Sequence, residues 1–234
     1  KEVGGRFSAL SPVGLLPLAF AGADLDALLM GARKANETAL APLEESLPLK
    51  TALLLHLHRH LPVHVFMVYS ERLSHLPSRF VQLHDESLGK VDRQGQRVGT
   101  TAVPALGPKD QHAQVQLFRE GPLDKLLALV SPEAPLEDVE IPEVGGLEAA
   151  SYLFGKTLFQ LLKAEAEATY EALAEAGQRV YALFLPAVSP YAVGWLMQHL
   201  MWQTAFLGEL WEVNAFDQPG VELGKVLTRK RLAG

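Results

Sequence analysis

Between Pro62 and Ser70 lies a seven-residue run, Val63–Tyr69, that is apolar apart from His64 and too short for an ordinary helix. Proline in front and a serine behind mark its ends, so it reads as a buried strand. Further short runs read the same way: Phe80–His84, Thr101–Leu106, Val139–Ile141, Val180–Leu185 and Leu210–Val213. Longer segments of helical period stand between and around them. Ser11-Pro12 is an N-cap followed by proline at the first helical position, opening a helix to Phe20. Asp24 or Asp26 opens a second helix to Ala35, and a leucine-rich helix covers Thr51–Arg59. Others are expected over Gln111–Arg119, Leu147–Ala176 with Gly177 at C′, from Ser189-Pro190, and from Pro219 to Lys230. Gly89–Gly99 is polar and reads as a hairpin or loop. Strands alternating with helices of this length imply an α/β fold with a largely parallel sheet. In such sheets ligands sit beyond the carboxyl ends of the strands. The expected order puts Asp85–Ser87, the segment before His112 and Phe216–Lys225 at those ends.

The chain is long enough for one large domain or two small ones, and 48% of its 234 residues are hydrophobic, which supports a sizeable core. A net charge of −6 argues against a general nucleic-acid or membrane-surface binder. The absence of cysteine excludes disulfides, cysteine–zinc sites and thiol catalysis. Val13–Ala23 is apolar but short, with Asp24 and Asp26 close behind, so no spanning helix or signal peptide is expected. A cytoplasmic protein is the expectation. The opening Lys1-Glu2-Val3 carries no methionine and leads directly into Gly4-Gly5-Arg6, as in a chain that begins mid-protein.

Four segments carry candidate chemistry. Phe216-Asp-Gln-Pro-Gly-Val-Glu-Leu-Gly-Lys225 sets Gln218 at the mouth of a helix and Lys225 in its second turn, with Asp217 or Gln218 as cap. Free N–H groups, a positive dipole end and a lysine suit an anion. Gly4-Gly5-Arg6-Phe7-Ser8 is either a turn with a surface arginine or a backbone that fixes a guanidinium against developing negative charge. Gln82-Leu-His-Asp-Glu-Ser-Leu-Gly-Lys90 places Glu86 beside Asp85, with Arg6 and Lys90 as counter-charges; alone, it is a solvated loop glutamate. Gly107-Pro-Lys-Asp-Gln-His112 sets a histidine at a helix start, where Asp110 can fix its tautomer. The histidines His56, His58, His60 and His64 invite a metal reading, but Pro62 interrupts the helix and the run holds no acidic residue, so an exposed helix end is expected and no metal site. Trp195, His199, Trp202 and Phe206 share one helix face and read as core or interface.

Taken together, Gly4–Gly14, Gln82–Lys90, Gly107–Gly121 and Phe216–Lys225 resemble, in order, signature segments of the phosphoglucose isomerase family. Leu88 stands where that family commonly has asparagine. The resemblance implies a three-layer αβα sandwich of the sugar-isomerase (SIS) type over residues 21–234, with residues 1–20 leading in from a preceding domain. It implies aldose–ketose isomerisation of glucose 6-phosphate and fructose 6-phosphate through a cis-enediol, with no metal or organic cofactor. The carried-over roles are Glu86 as the isomerising base, Arg6 at the enediolate oxygen, His112 with Lys225 in ring opening, and Gln82 and Gln218 as substrate holders. The family also implies a homodimer in which His112 serves the neighbouring site. Its Ser-Lys-Thr phosphate loop has no counterpart in this chain. Two further readings remain open at this point: a sugar-phosphate-binding SIS domain without turnover, and the isomerase part of a transaldolase fusion.

Overall fold

The run after Pro62 is a strand, β1 (Val63–Val68), and three more strands lie parallel to it in the computed structural model, which describes residues 3–233. With β4 (Thr101–Leu106), β5 (Lys125–Pro132) and β6 (Arg179–Leu185) it forms a sheet in the order β4-β1-β5-β6. The period of two along the strands divides the core into two layers. Phe66, Val68, Ala128 and Val130 face α4 (Leu76–Leu88) and α7 (Pro190–Leu210). Val65, Met67, Leu127 and Leu129 face α5 (Gln111–Glu120) and α6 (Leu158–Glu175). The fold is therefore α/β with helices on both faces of a parallel sheet, as the sequence implies.

Outside α7 lie α2 (Leu25–Ala39) and α3 (Leu47–Leu57). The α2–α7 crossing is very close. A Cβ on Gly31 would stand 1.9 Å from the Tyr191 carbonyl oxygen, and one on Gly194 would stand 1.9 Å from that of Leu28. The two helices touch through backbone, which only glycine permits. α1 (Pro12–Phe20) and α8 (Pro219–Ala233) stand apart from this packing, with none of their described residues buried.

Several local expectations change. Phe80–His84 is not a strand but part of α4; Leu76, Phe80, Leu83, His84 and Ser87 are buried at helical spacing. Leu210 ends α7, and Trp211–Val213 turn back through Glu212 at φ 57. Val139–Ile141 contributes one isolated bridge, Glu140 with Thr157. The long helix from Leu147 is interrupted: a 3-10 turn spans Glu148–Leu153, Gly155 adopts φ 69, and a capping box of Thr157 and Gln160 starts α6. Ala150 and Phe154 therefore lie outside α6. Gly177 takes the expected left-handed conformation at φ 83. Gly89–Gly99 contains a short antiparallel pair, β2 (Lys90–Val91) with β3 (Arg97–Val98).

β4 is an edge strand whose outward amides are all accounted for. Thr101 N and Gly107 N bond inward to Pro62 O and Val68 O, so residues 102, 104 and 106 face outward. Asp85 Oδ1 accepts from Ala102 N at 3.0 Å, and Asp110 Oδ2 accepts from Leu106 N at 2.7 Å. Between them Pro104 has no N–H to expose.

Candidate functional site

Arg6 lies in a 3-10 turn, Gly5–Phe7, and its side chain is 1% exposed. Its guanidinium makes four hydrogen bonds and one ion pair. Nε donates to Ser87 Oγ at 2.6 Å, and Nη2 donates to the carbonyls of Ala215 and Asp217 at 2.6 and 2.7 Å. Nη1 donates to Gln218 Oε1 at 2.9 Å and lies 3.4 Å from Glu86 Oε1. Burial lowers the Arg6 pKa from its ordinary value, and the charges of Glu86 and Asp217 oppose that shift. A guanidinium stays charged through such a change. Arg79 supports the same turn from α4, donating through Nη1 to the Arg6 carbonyl at 3.1 Å.

Glu86 projects from the last turn of α4, with 26% of its side chain exposed. Gln82, one turn earlier, reaches Glu86 Oε2 at 3.4 Å. The segment Asn214–Gln218 is held by two cations. Arg6 binds it from the interior, while Lys90 Nζ donates to the carbonyls of Asn214 and Asp217 and to Asp217 Oδ1, the last at 2.7 Å. These elements border an open cavity of about 1110 Å³, lined by Glu86, Lys90, Arg97, Glu209, Asp217 and Gln218 among others.

Arg6, Gln82, Glu86 and Gln218 thus come together, drawn from positions far apart in sequence. His112 and Lys225 do not join them. Asp85 is bonded to the amino end of β4 and Asp110 to its carboxyl end, roughly 13 Å apart along the strand. Glu86 belongs to the first end, and His112, exposed in the first turn of α5, belongs to the second. Because α4 is a helix running back along the sheet, the Asp85–Ser87 cluster lies at the amino ends of the strands and not beyond their carboxyl ends. Lys225 is exposed in α8 and pairs with Glu222 at 2.7 Å.

Other expected pairings are replaced. Lys90 pairs with Asp217 and not with Glu86. Asp217 and Gln218 do not serve as the expected side-chain caps of α8: the carboxylate meets Lys90 and Asn214, and the amide oxygen meets Arg6. Asp110 holds Leu106 N where a contact with His112 was expected. His64 is not part of an exposed helix end; it is 2% exposed in β1, with Nε2 3.1 Å from the Tyr181 hydroxyl. Among the described residues no His, Cys, Asp or Glu cluster has metal-ligand spacing, and no helix is long and apolar enough to cross a membrane. Ser87, Arg79 and the carbonyls of Ala215 and Asp217 were not legible as site components. Serine in a helix and backbone carbonyls carry no distinctive sequence signal.

A phosphoglucose isomerase family model matches residues 1–233. The chain is 99% identical over all 234 residues to a glucose-6-phosphate isomerase of Thermus thermophilus, of which it covers 56%. It is 44% identical to the glucose-6-phosphate isomerase of Rubrobacter xylanophilus, across 99% of this chain and 53% of that protein. The crystal structure of a hypothetical protein from Thermus thermophilus matches with TM-score 0.98 and 98% identity, covering 100% of this chain and 56% of that one. A glucose-6-phosphate isomerase structure from Chlamydia trachomatis matches with TM-score 0.82 and 28% identity, covering 98% of this chain and 47% of that one. The chain therefore spans about half the length of the curated relatives it matches.

Proposed function

The chain belongs to the phosphoglucose isomerase family, and from that premise we propose that the protein carrying it interconverts glucose 6-phosphate and fructose 6-phosphate through a cis-enediol. The observation that supports this reading most is the convergence of Glu86 Oε1 and Gln218 Oε1 on one nitrogen of a buried arginine, Arg6 Nη1, at 3.4 and 2.9 Å. A carboxylate that removes a proton beside a carbonyl needs a fixed positive charge where the enediolate oxygen forms. Glu86 and Gln218 line an open cavity large enough for a sugar phosphate.

In this mechanism Glu86 takes the C2 proton of the open-chain aldose to give the enediolate and delivers it to C1, while the O2 hydroxyl proton passes to O1 and C2 becomes the carbonyl of the ketose. Arg6 stabilises the enediolate oxygen between the two transfers. Gln82 and Gln218 hold substrate hydroxyls, with Gln82 also steadying Glu86. His112 and Lys225 move the ring-opening proton between the ring oxygen and the C1 hydroxyl. Since β4 stands between His112 and Glu86, the histidine serves the site of a second copy, which makes the working unit a homodimer. The phosphate is held by residues outside this chain, and residues 1–20 lead in from the domain that supplies them.

The test is Glu86→Gln in the full-length enzyme. Turnover of fructose 6-phosphate falls by about 10²–10⁴-fold while substrate binding persists. A wild-type rate in that variant removes Glu86 as the base.

A further inference from the structure

The last turn of α4 is held on both sides of Glu86, to β4 and the residue before it on one side and to Arg6 on the other. His84 Nε2 lies 2.8 Å from Thr100 Oγ1, and Asp85 Oδ1 accepts from Ala102 N at 3.0 Å. After the base, Ser87 Oγ accepts from Arg6 Nε, and Gly89 N closes the helix on Asp85 O at 3.0 Å. Successive helical residues point about 100° apart. The Asp85 carboxylate therefore meets β4 and that of Glu86 meets Arg6, although both residues border the cavity.

We propose that Asp85 is a positioning residue for Glu86: by accepting the outward amide of Ala102 it clamps the end of α4 to the edge strand and sets the distance between the Glu86 carboxylate and Arg6. This rests on the proposed isomerase reading. His84 supplies the second tie, through Thr100, one residue earlier. The physical need is specific. Glu86 meets Arg6 at 3.4 Å, and although one shorter bond ties the guanidinium to Ser87 beside the base, three others hold it to Ala215, Asp217 and Gln218 outside α4, so a drift of the helix end changes the Glu86–Arg6 distance. A displacement near 1 Å at a reacting group costs about 10²-fold in rate. Asp85 also satisfies an amide that would otherwise face outward at a sheet edge, so its effect on folding and its effect on the base must be separated.

Three variants of the full-length enzyme separate them. Asp85→Asn keeps an acceptor oxygen at the same reach, Asp85→Glu carries it one methylene too far, and Asp85→Ala removes it. Wild-type turnover of fructose 6-phosphate is measured first, because its absence would overturn the isomerase reading and the positioning role with it. Given wild-type turnover, Asp85→Ala and Asp85→Glu lower kcat by about 10–100-fold with KM nearly unchanged, and Asp85→Asn recovers most of the rate. Wild-type kcat in the alanine and glutamate variants overturns the proposal and leaves the isomerase reading intact. So does an asparagine variant as slow as alanine, since charge and not the clamp would then be the cause. If the alanine variant does not fold, the glutamate–asparagine pair decides by the same criteria.

Discussion

Arg6 and Glu86 meet at 3.4 Å, the longest contact the guanidinium makes, while its other donors are held at 2.6–2.9 Å. The arginine is thus anchored by neutral oxygens of Ser87, Ala215, Asp217 and Gln218, and the carboxylate is the partner most easily exchanged. An incoming oxygen anion can share Nη1 without dismantling the anchor.

Removing the guanidinium should damage both structure and chemistry. Arg6→Met leaves the carbonyls of Ala215 and Asp217 without their donor and costs about 2–4 kcal/mol in urea unfolding. Arg6→Lys recovers only part of this, because an ammonium cannot reproduce the planar fork. In the full-length enzyme either variant should lower kcat/KM by about 10²-fold or more. A lysine variant equal to wild type in both measurements would show that charge alone suffices.

The segment that carries Gln218 should depend on Lys90. This ammonium is nearly enclosed, with 8% of its side chain exposed, and it holds Asn214 and Asp217, sharing the Asp217 carbonyl with Arg6. Lys90→Met should increase amide exchange of residues 213–221 by about 5–30-fold, the equivalent of 1–2 kcal/mol of local opening. Exchange in β1 should stay unchanged. Equal exchange in both proteins would mean that Arg6 alone fixes the segment.

The α2–α7 crossing gives a contrast in sign. Alanine normally stabilises a helix relative to glycine by about 0.5–1 kcal/mol. At Gly224 in exposed α8 nothing lies within 4 Å of a new Cβ, so Gly224→Ala should follow that trend. At Gly31 the new Cβ would stand 1.9 Å from a carbonyl oxygen of the facing helix, and neither backbone can yield without separating α2 from α7. Gly31→Ala should therefore destabilise by about 1–3 kcal/mol or more. Thermal unfolding of the two variants checks both signs, and a stabilised Gly31→Ala would refute the close crossing.

How much of this could be read beforehand differs from element to element. Short apolar runs with marked ends, together with caps, locate β1, β4, β6, α5 and the starts of α7 and α8. They missed β5, one of the two central strands, because Leu126, Leu127, Ala128 and Leu129 are good helix formers without the β-branched and aromatic residues that mark β1. They misread Phe80–His84 because a short apolar stretch of helix is locally indistinguishable from a strand. Of the candidate site, Arg6, Glu86 and Gln218 were legible through segment likeness, and Arg6 as a counter-charge to Glu86, but the anchors of Arg6 on Ser87, Ala215 and Asp217 were not. Which end of the sheet they occupy was lost with the misread strand, since a helix in that place reverses the chain's direction.

Acid should unfold this protein through its buried histidines. Burial holds His84 at a pKa of about 4 and His199 at about 3, and places His64 well below its ordinary value, with His84 nearby as a second cause. In the unfolded chain each titrates near 6.5, roughly the free-histidine value. Above that pH both states are neutral at these positions and the histidines do not affect stability. As the pH falls below it, the unfolded chain takes up protons that the folded chain refuses, so stability declines until the folded pKa values are reached. Each such histidine contributes a slope of about 1.4 kcal/mol per pH unit. His199 packs against Trp195 at 4.9 Å and lies 3.3 Å from Thr51 Oγ1, so His199→Gln keeps a polar group there while removing the titration. Urea midpoints measured from about pH 7 to about pH 5 should fall less steeply in the variant than in wild type. Identical slopes would place the acid sensitivity elsewhere.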